Sequence, residues 1–256
     1  MKIRFLYHAE AVAATGYVTL PINETMPIQG ATALPITGGH GAAVVEDFRH
    51  RNFFKFHRAE SHVVGSYSEK DQAYGTLAST TIEGLNIMDV VTCDRIVARI
   101  TTKHPGENAD SSFIPLGSRF ENLRIAGHRI EVEMATDLFA EHDTWRKLTE
   151  AHAKDAGVRE KLGKIAISRG RDGGFPESRG MMSCTLARNL DKLPGGLSLR
   201  GHGIYVPHFG TVYLAEYFVS TSAHRLLMLH VDLGCSVEGC YGSGGAGGNG
   251  SWPPTN

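Results

Sequence analysis

The chain of 256 residues, 41% hydrophobic and 21% charged, has enough apolar content for one sizeable core. Its 26 Lys and Arg stand against 27 Asp and Glu, and a formal net charge of -1 supplies no field to gather nucleic acid or an anionic membrane, so neither is expected as a partner. Four cysteines are too sparse for a disulfide scaffold, and no run approaches the roughly 20 apolar residues of a membrane helix.

The opening segment, Met1-Lys2-Ile3-Arg4-Phe5-Leu6-Tyr7-His8, is interrupted by His8 and Glu10 before a signal-peptide core can form. It reads as a first strand, and the expected location is the cytoplasm, with leaderless export left open. Residues 2–13 and 16–20 are expected as two strands around Gly16, followed by a Pro- and Gly-punctuated loop over 21–43. Strands are then expected near 42–49, 52–58, 61–68, 75–87, 90–103, 119–126 and 128–135. The evidence for them is period two: Ile96, Ala98 and Ile100 alternate with Arg95, Val97 and Arg99, and Ile130, Val132 and Met134 with Arg129, Glu131 and Glu133. Alternate side chains of a strand point to opposite faces, so these runs place one face on a core and one in water. Ala126-Gly127 is expected to turn a tight hairpin, because Gly accepts positive φ.

From Asp143 to Ala156 the cadence changes: Trp145, Leu148 and His152 fall at helical spacing, with Asp143 as N-cap and Gly157 as stop. Strands resume near 181–188, 197–206, 210–220 and 224–233, and Thr211 to Val219, apolar on both faces, reads as a central strand covered on both sides. The glycine-rich segment 242–256 has too little side chain to pack and is expected as a flexible tail unless Trp252 docks, which leaves 1–241 as a single β-rich domain. The fold expected is mainly β, a β-sandwich with one helical insertion at about 143–156. A β-solenoid is the alternative, but it lacks a fixed-period repeat.

The segments Ser79 to Ile87, Val90 to Ala98 and Gly117 to Gly127 resemble the repeated strand pattern of the bacterial choice-of-anchor group of β-rich surface proteins. His202 to Thr211 and the strand Leu226 to Cys235 are similar to uncharacterised bacterial proteins of like length. The resemblance implies an architecture and carries no catalytic residue over.

Thirteen histidines are the one compositional excess, and neutral imidazole is the commonest metal ligand. His57, Glu60 and His62 miss the inverted zinc-protease spacing because Ser61 intervenes. His202, His208, Glu216 and His230 are the candidate metal ligands, on successive strands or their ends, although the two-His spacing of a cupin site is absent. His230 and Asp232 share one strand face, and Cys235 and Cys240 stand close enough for a hairpin disulfide or half a metal site. Ser168 to Gly174 could cradle an anion but lacks the ending of a phosphate loop, and neither a hydrolase elbow nor a dinucleotide fingerprint is present.

Two functions follow. The first is a non-enzymatic binding or self-assembling structural or adhesin-like module without a cofactor, self-associating or holding a carbohydrate or protein ligand. The alternative is a metal-dependent enzyme using the His cluster and a divalent ion such as zinc.

Overall fold

The computed structural model describes residues 5–106, 109–167, 180–221, 223–234 and 236–252. In chain order the strands are β1 (Leu6–Leu20), β2 (Glu24–Gln29), β3 (Thr32–Ala33), β4 (Gly39–His50), β5 (Phe54–Ser68), β6 (Ala73–Ile87), β7 (Val91–His104), β8 (Ser112–Ile114), β9 (Arg119–Glu121), β10 (Arg124–Ile125), β11 (His128–Arg129) and β12 (Glu133–Met134). Helices α1 (Thr136–Glu141), α2 (Trp145–Lys154) and α3 (Ala156–Ile165) follow. The chain then returns to strands: β13 (Met181–Thr185), β14 (Ala187–Arg188), β15 (Ser198–Arg200), β16 (Gly203–Val206), β17 (Gly210–Ser220), β18 (His224–Gly234) and β19 (Glu238–Ser251).

These strands build the expected β-sandwich. The first sheet runs β15-β16-β17-β18-β19-β1-β2, with β13 also paired to β17 and β3 to β1; the second runs β11-β10-β7-β6-β5-β4, with β8 and β9 on β7. Their inner faces bury Phe54, Ile82, Ile96 and Ile100 from one sheet against Tyr217, Met228 and Tyr241 from the other. The hairpin at Ala126-Gly127 forms with both residues at positive φ, 50° and 79°, and pairs Ile125 with His128.

Several boundaries differ from the sequence reading. Residues 6–20 are one strand, and Gly16 is needed inside it because a Cβ there would lie 2.3 Å from the Tyr241 ring. The punctuated stretch 21–43 contains β2 and β3 and the start of β4. The helical insertion holds three helices. Thr144, not Asp143, caps α2 by accepting from the Lys147 amide at 3.2 Å. Gly157 does not stop the insertion, because Asp155 accepts from the Gly157 and Val158 amides at 2.7 and 3.2 Å and so starts α3. Leu148 is fully buried, and Phe139 of α1 meets Tyr217 edge-on at 5.2 Å, fixing the helices over one end of the sandwich.

The largest correction concerns the glycine-rich segment. Residues through Ser251 belong to β19, which lies between β18 and β1 and pairs with both along its length. Backbone hydrogen bonds need no side chain, and the missing side chains are what the packing requires. A Cβ on Gly248 would sit 3.1 Å from Thr102, and one on Gly250 would sit 2.1 Å from the Phe5 ring. Trp252 docks edge-on against Phe5 and Tyr74, both at 5.3 Å.

Alternation also breaks in register across the first sheet. Buried positions are doubled at Ala13/Ala14 in β1, Ser243/Gly244 in β19, Met228/Leu229 in β18 and Leu214/Ala215 in β17. Ala14, Ser243, Leu229 and Leu214 are successive ladder partners, so the four breaks form one line perpendicular to the strands. Ala215 and Gly244 absorb it with φ of 51° and 70°. In β17 the inward residues are therefore Val212 and Leu214 on one side of the line and Tyr217 and Val219 on the other. The strand is central, as expected, but its second face is only half-buried.

Candidate functional site

The break decides which side chains share the outer face of the first sheet. Tyr213 and Glu216 differ by an odd number of residues and in an unbroken strand would point to opposite faces; here both face outward, as do Leu227 and His230 of β18. Successive outer rows therefore read Thr211, Asp232, Cys240 and Tyr17, then Tyr213, His230, Gly242 and Thr15, then Glu216, Leu227, Gly245 and Val12.

On this surface Glu216 joins two histidines. His202 Nε2 lies 3.0 Å from Glu216 Oε1, and His230 Nδ1 lies 3.0 Å from Glu216 Oε2. The other ring nitrogen of His230, Nε2, lies 3.0 Å from Asp232 Oδ1. Tyr213 sits between the imidazoles, with its ring centroid 4.8 Å from that of His202 and 5.0 Å from that of His230. One ligand-capable atom each of His230, Asp232 and Cys240 lies within 4.8 Å of the others. Asp232 and Cys240 are direct partners across the β18-β19 hairpin.

The electrostatics follow from these contacts. Hydrogen bonding with Cys240 and then Glu216 outweighs burial and lifts the His230 pKa to about 10. Burial pushes the Glu216 carboxyl up, but bonds to His202 and His230 overcome it and bring its pKa down to about 2. The row is therefore a carboxylate and an imidazolium, both part-buried on the outer face.

Of the four predicted ligands, the structure brings His202, Glu216 and His230 together and leaves His208 out. His208 occupies the exposed turn between β16 and β17, at the end of β16 remote from His202. With φ of 59° it serves the turn. Both oxygens of Glu216 are taken by imidazoles, so it orients them. The group that converges instead adds Asp232 and Cys240 to His230. The signal for it was the hairpin formed by β18 and β19, hidden because half of its second strand is glycine. Glu60 bonds Arg58 and faces His62 at 3.8 Å, but His57 is solvent-exposed beside Asp47, so the zinc-protease-like triplet does not converge. The Ser168 to Gly174 loop and Cys235 lie outside the described residues.

Beside this row opens a cavity of about 530 Å³. Its outer-face floor is the backbone of Gly247 and Gly248, and its rim carries Glu10, Glu216, Arg225 and Asn249. Arg225 donates to Glu10 at 2.6 Å across Gly247. Among the described residues no helix is long and apolar enough to cross a membrane.

Comparison with known proteins matches the chain to a family described as a domain of unknown function, DUF8256, over residues 5–173 and 143–220. No curated protein and no solved structure matches the chain. The matched segments take in the second sheet, the helical insertion and the first sheet apart from β18 and β19, and the chain belongs to the DUF8256 family.

Proposed function

We propose that this protein is a non-enzymatic β-sandwich binding module whose outer-face cleft takes a neutral, hydroxyl-rich ligand of the saccharide class. The observation that supports this reading is the cavity of about 530 Å³, within the roughly 300–1,000 Å³ usual for small-molecule sites, with donors and acceptors set around a glycine floor. Glu10 offers carboxylate oxygens, Arg225 and Asn249 offer N–H groups, and Leu227 and Phe218 offer apolar surface. Sugar hydroxyls both donate and accept, so they satisfy such a mixed rim. Glu10 is paired with Arg225 and Glu216 with His230, so the rim carries little net charge, which suits a neutral ligand. Glycine at 247, where a Cβ would meet Glu10, lets a flat ring approach the sheet closely.

Isothermal titration and ligand-observed NMR against a panel of neutral oligosaccharides test the reading. The expected result is binding that Arg225→Ala and Glu10→Gln each weaken at least about tenfold without lowering the melting temperature, since hydrogen bonds to charged groups contribute roughly 1.5–3 kcal/mol. Absence of binding across the panel, or equal binding by the variants, overturns it. Self-association is a second property of the same module, favoured by β4, whose outer edge has no ladder partner among the described residues. A strictly monomeric light-scattering mass at high concentration removes it.

A further inference from the structure

We propose that His230, Asp232 and Cys240 form a binding site for one divalent transition-metal ion, with zinc the best match to the ligand chemistry. Glu216 borders both this site and the saccharide cleft, but Arg225 and Glu10 take no part in the metal site.

Three different ligand types converge there: an imidazole nitrogen, a carboxylate oxygen and a thiol sulfur, all within 4.8 Å of one another. A borderline-soft ion such as zinc accepts this mixture, with bonds of about 2.0–2.3 Å, whereas magnesium and calcium require an oxygen shell. Tetrahedral bonds of that length separate ligand atoms by roughly 3.5 Å. Asp232 and Cys240 are surface side chains whose torsions can supply the remaining approach. Both stand on paired strands at opposed register, so the backbone beneath them is rigid.

The arrangement around His230 is the independent observation. A metal-ligating histidine commonly presents one ring nitrogen to the ion and donates its other N–H to a carboxylate, which fixes the tautomer and the ring plane. His230 meets this description: Nε2 faces Asp232, and Nδ1 is held by Glu216 at 3.0 Å. Glu216 is itself anchored by His202 at 3.0 Å, and Tyr213 stacks on the His230 ring. An ordinary exposed strand histidine has no need of two partners behind it. Asp232 Oδ1 and Nε2 stand at a proton-sharing distance that an ion would replace, and three protein ligands leave a fourth position for water or a ligand.

The test uses the full chain, stripped with a chelator and titrated with zinc chloride by calorimetry and with cobalt chloride by absorption. The expected result is one equivalent of either ion and, for cobalt, a near-ultraviolet thiolate charge-transfer band. Cys240→Ser should abolish that band. His230→Ala should weaken zinc at least about 100-fold, and Glu216→Gln about 10- to 100-fold through the outer shell. Zinc should also protect Cys240 from iodoacetamide in the wild-type chain, located by peptide mapping, which supports the site even if a variant fails to fold. Absence of stoichiometric binding, a cobalt spectrum without the thiolate band, or zinc affinity unchanged in folded Cys240→Ser and His230→Ala overturns the proposal. Arg225→Ala and Glu10→Gln should retain zinc, so the two readings fail separately.

Discussion

Thr80 Oγ1 donates to the carbonyl of Gly245 at 2.8 Å, a bond from a side chain of the second sheet to the backbone of the first. Facing sheets ordinarily stand about 10 Å apart, with two layers of side chains between them. Here β19 contributes little or no side chain at Gly244 and Gly248, so side chains of β6 and β7 reach its backbone. The glycine-rich strand is thus the seam on which the sandwich closes.

Substituting glycines on that seam should separate the inner from the outer face. Gly250→Ala, with its Cβ directed at the Phe5 ring, is expected to cost about 1–3 kcal/mol of overpacking, and Gly248→Ala to fall at the lower end. Gly242→Ala points outward, with Leu227 atoms no nearer than 3.5 Å, and should leave stability within about 0.5 kcal/mol. Urea denaturation of the three variants measures the difference; equal costs would show that the inner face has room.

Two buried histidines should make the fold acid-sensitive above the carboxylate range. His104 Nε2 and both ring nitrogens of His224 have no hydrogen-bond partner, and the rings rest on Phe5 and Phe113. Burial lowers the His104 pKa to about 4; burial, and then the neighbouring His104, lowers that of His224 to about 3. Between the ordinary value of 6.5 and these values the unfolded chain binds more protons than the folded one. The contribution of these two histidines is therefore complete above about 6.5 and falls with pH toward 3, by a few kcal/mol in all, while His230, whose pKa is raised, contributes in the opposite direction as pH rises above 6.5. Denaturation midpoints at pH 7 and pH 5 check this, and the fall should be smaller in His224→Phe.

Leu148→Ala should cost about 2–5 kcal/mol, because Leu148 is fully buried on the inward face of α2 and the helix cannot collapse into the space. A calorimetric melt close to wild type would make α2 an ornament of the sandwich.

At the opposite end of β19, Tyr241 lies fully buried with its hydroxyl 2.9 Å from His50 Nδ1, whose Nε2 reaches Glu24 at 3.1 Å. Tyr241→Phe removes one partner of a buried pair and should cost about 1–3 kcal/mol. Equilibrium unfolding that matches the wild type would show that the hydroxyl contributes nothing.

The sequence by itself determined the β class, the long strands from Ala73 to His104, the hairpin at Ala126-Gly127 and the buried face of α2, because period-two and period-3.6 patterns and left-handed turns are local properties of the chain. It also placed His230 and Asp232 on one face, since no break lies between them. Tertiary structure decided the remainder. A glycine run reads as a tail when only its own side chains are weighed, and becomes a central strand once Phe5, Thr102 and Ile96 fill the space above it. Glu216 joins His230 only because four neighbouring strands shift their alternation at the same register, an event that strict alternation within one strand hides. Cys240 meets His230 and Asp232 only through the β18-β19 pairing. The outer-face site therefore depends on contacts between strands, which local periodicity does not encode.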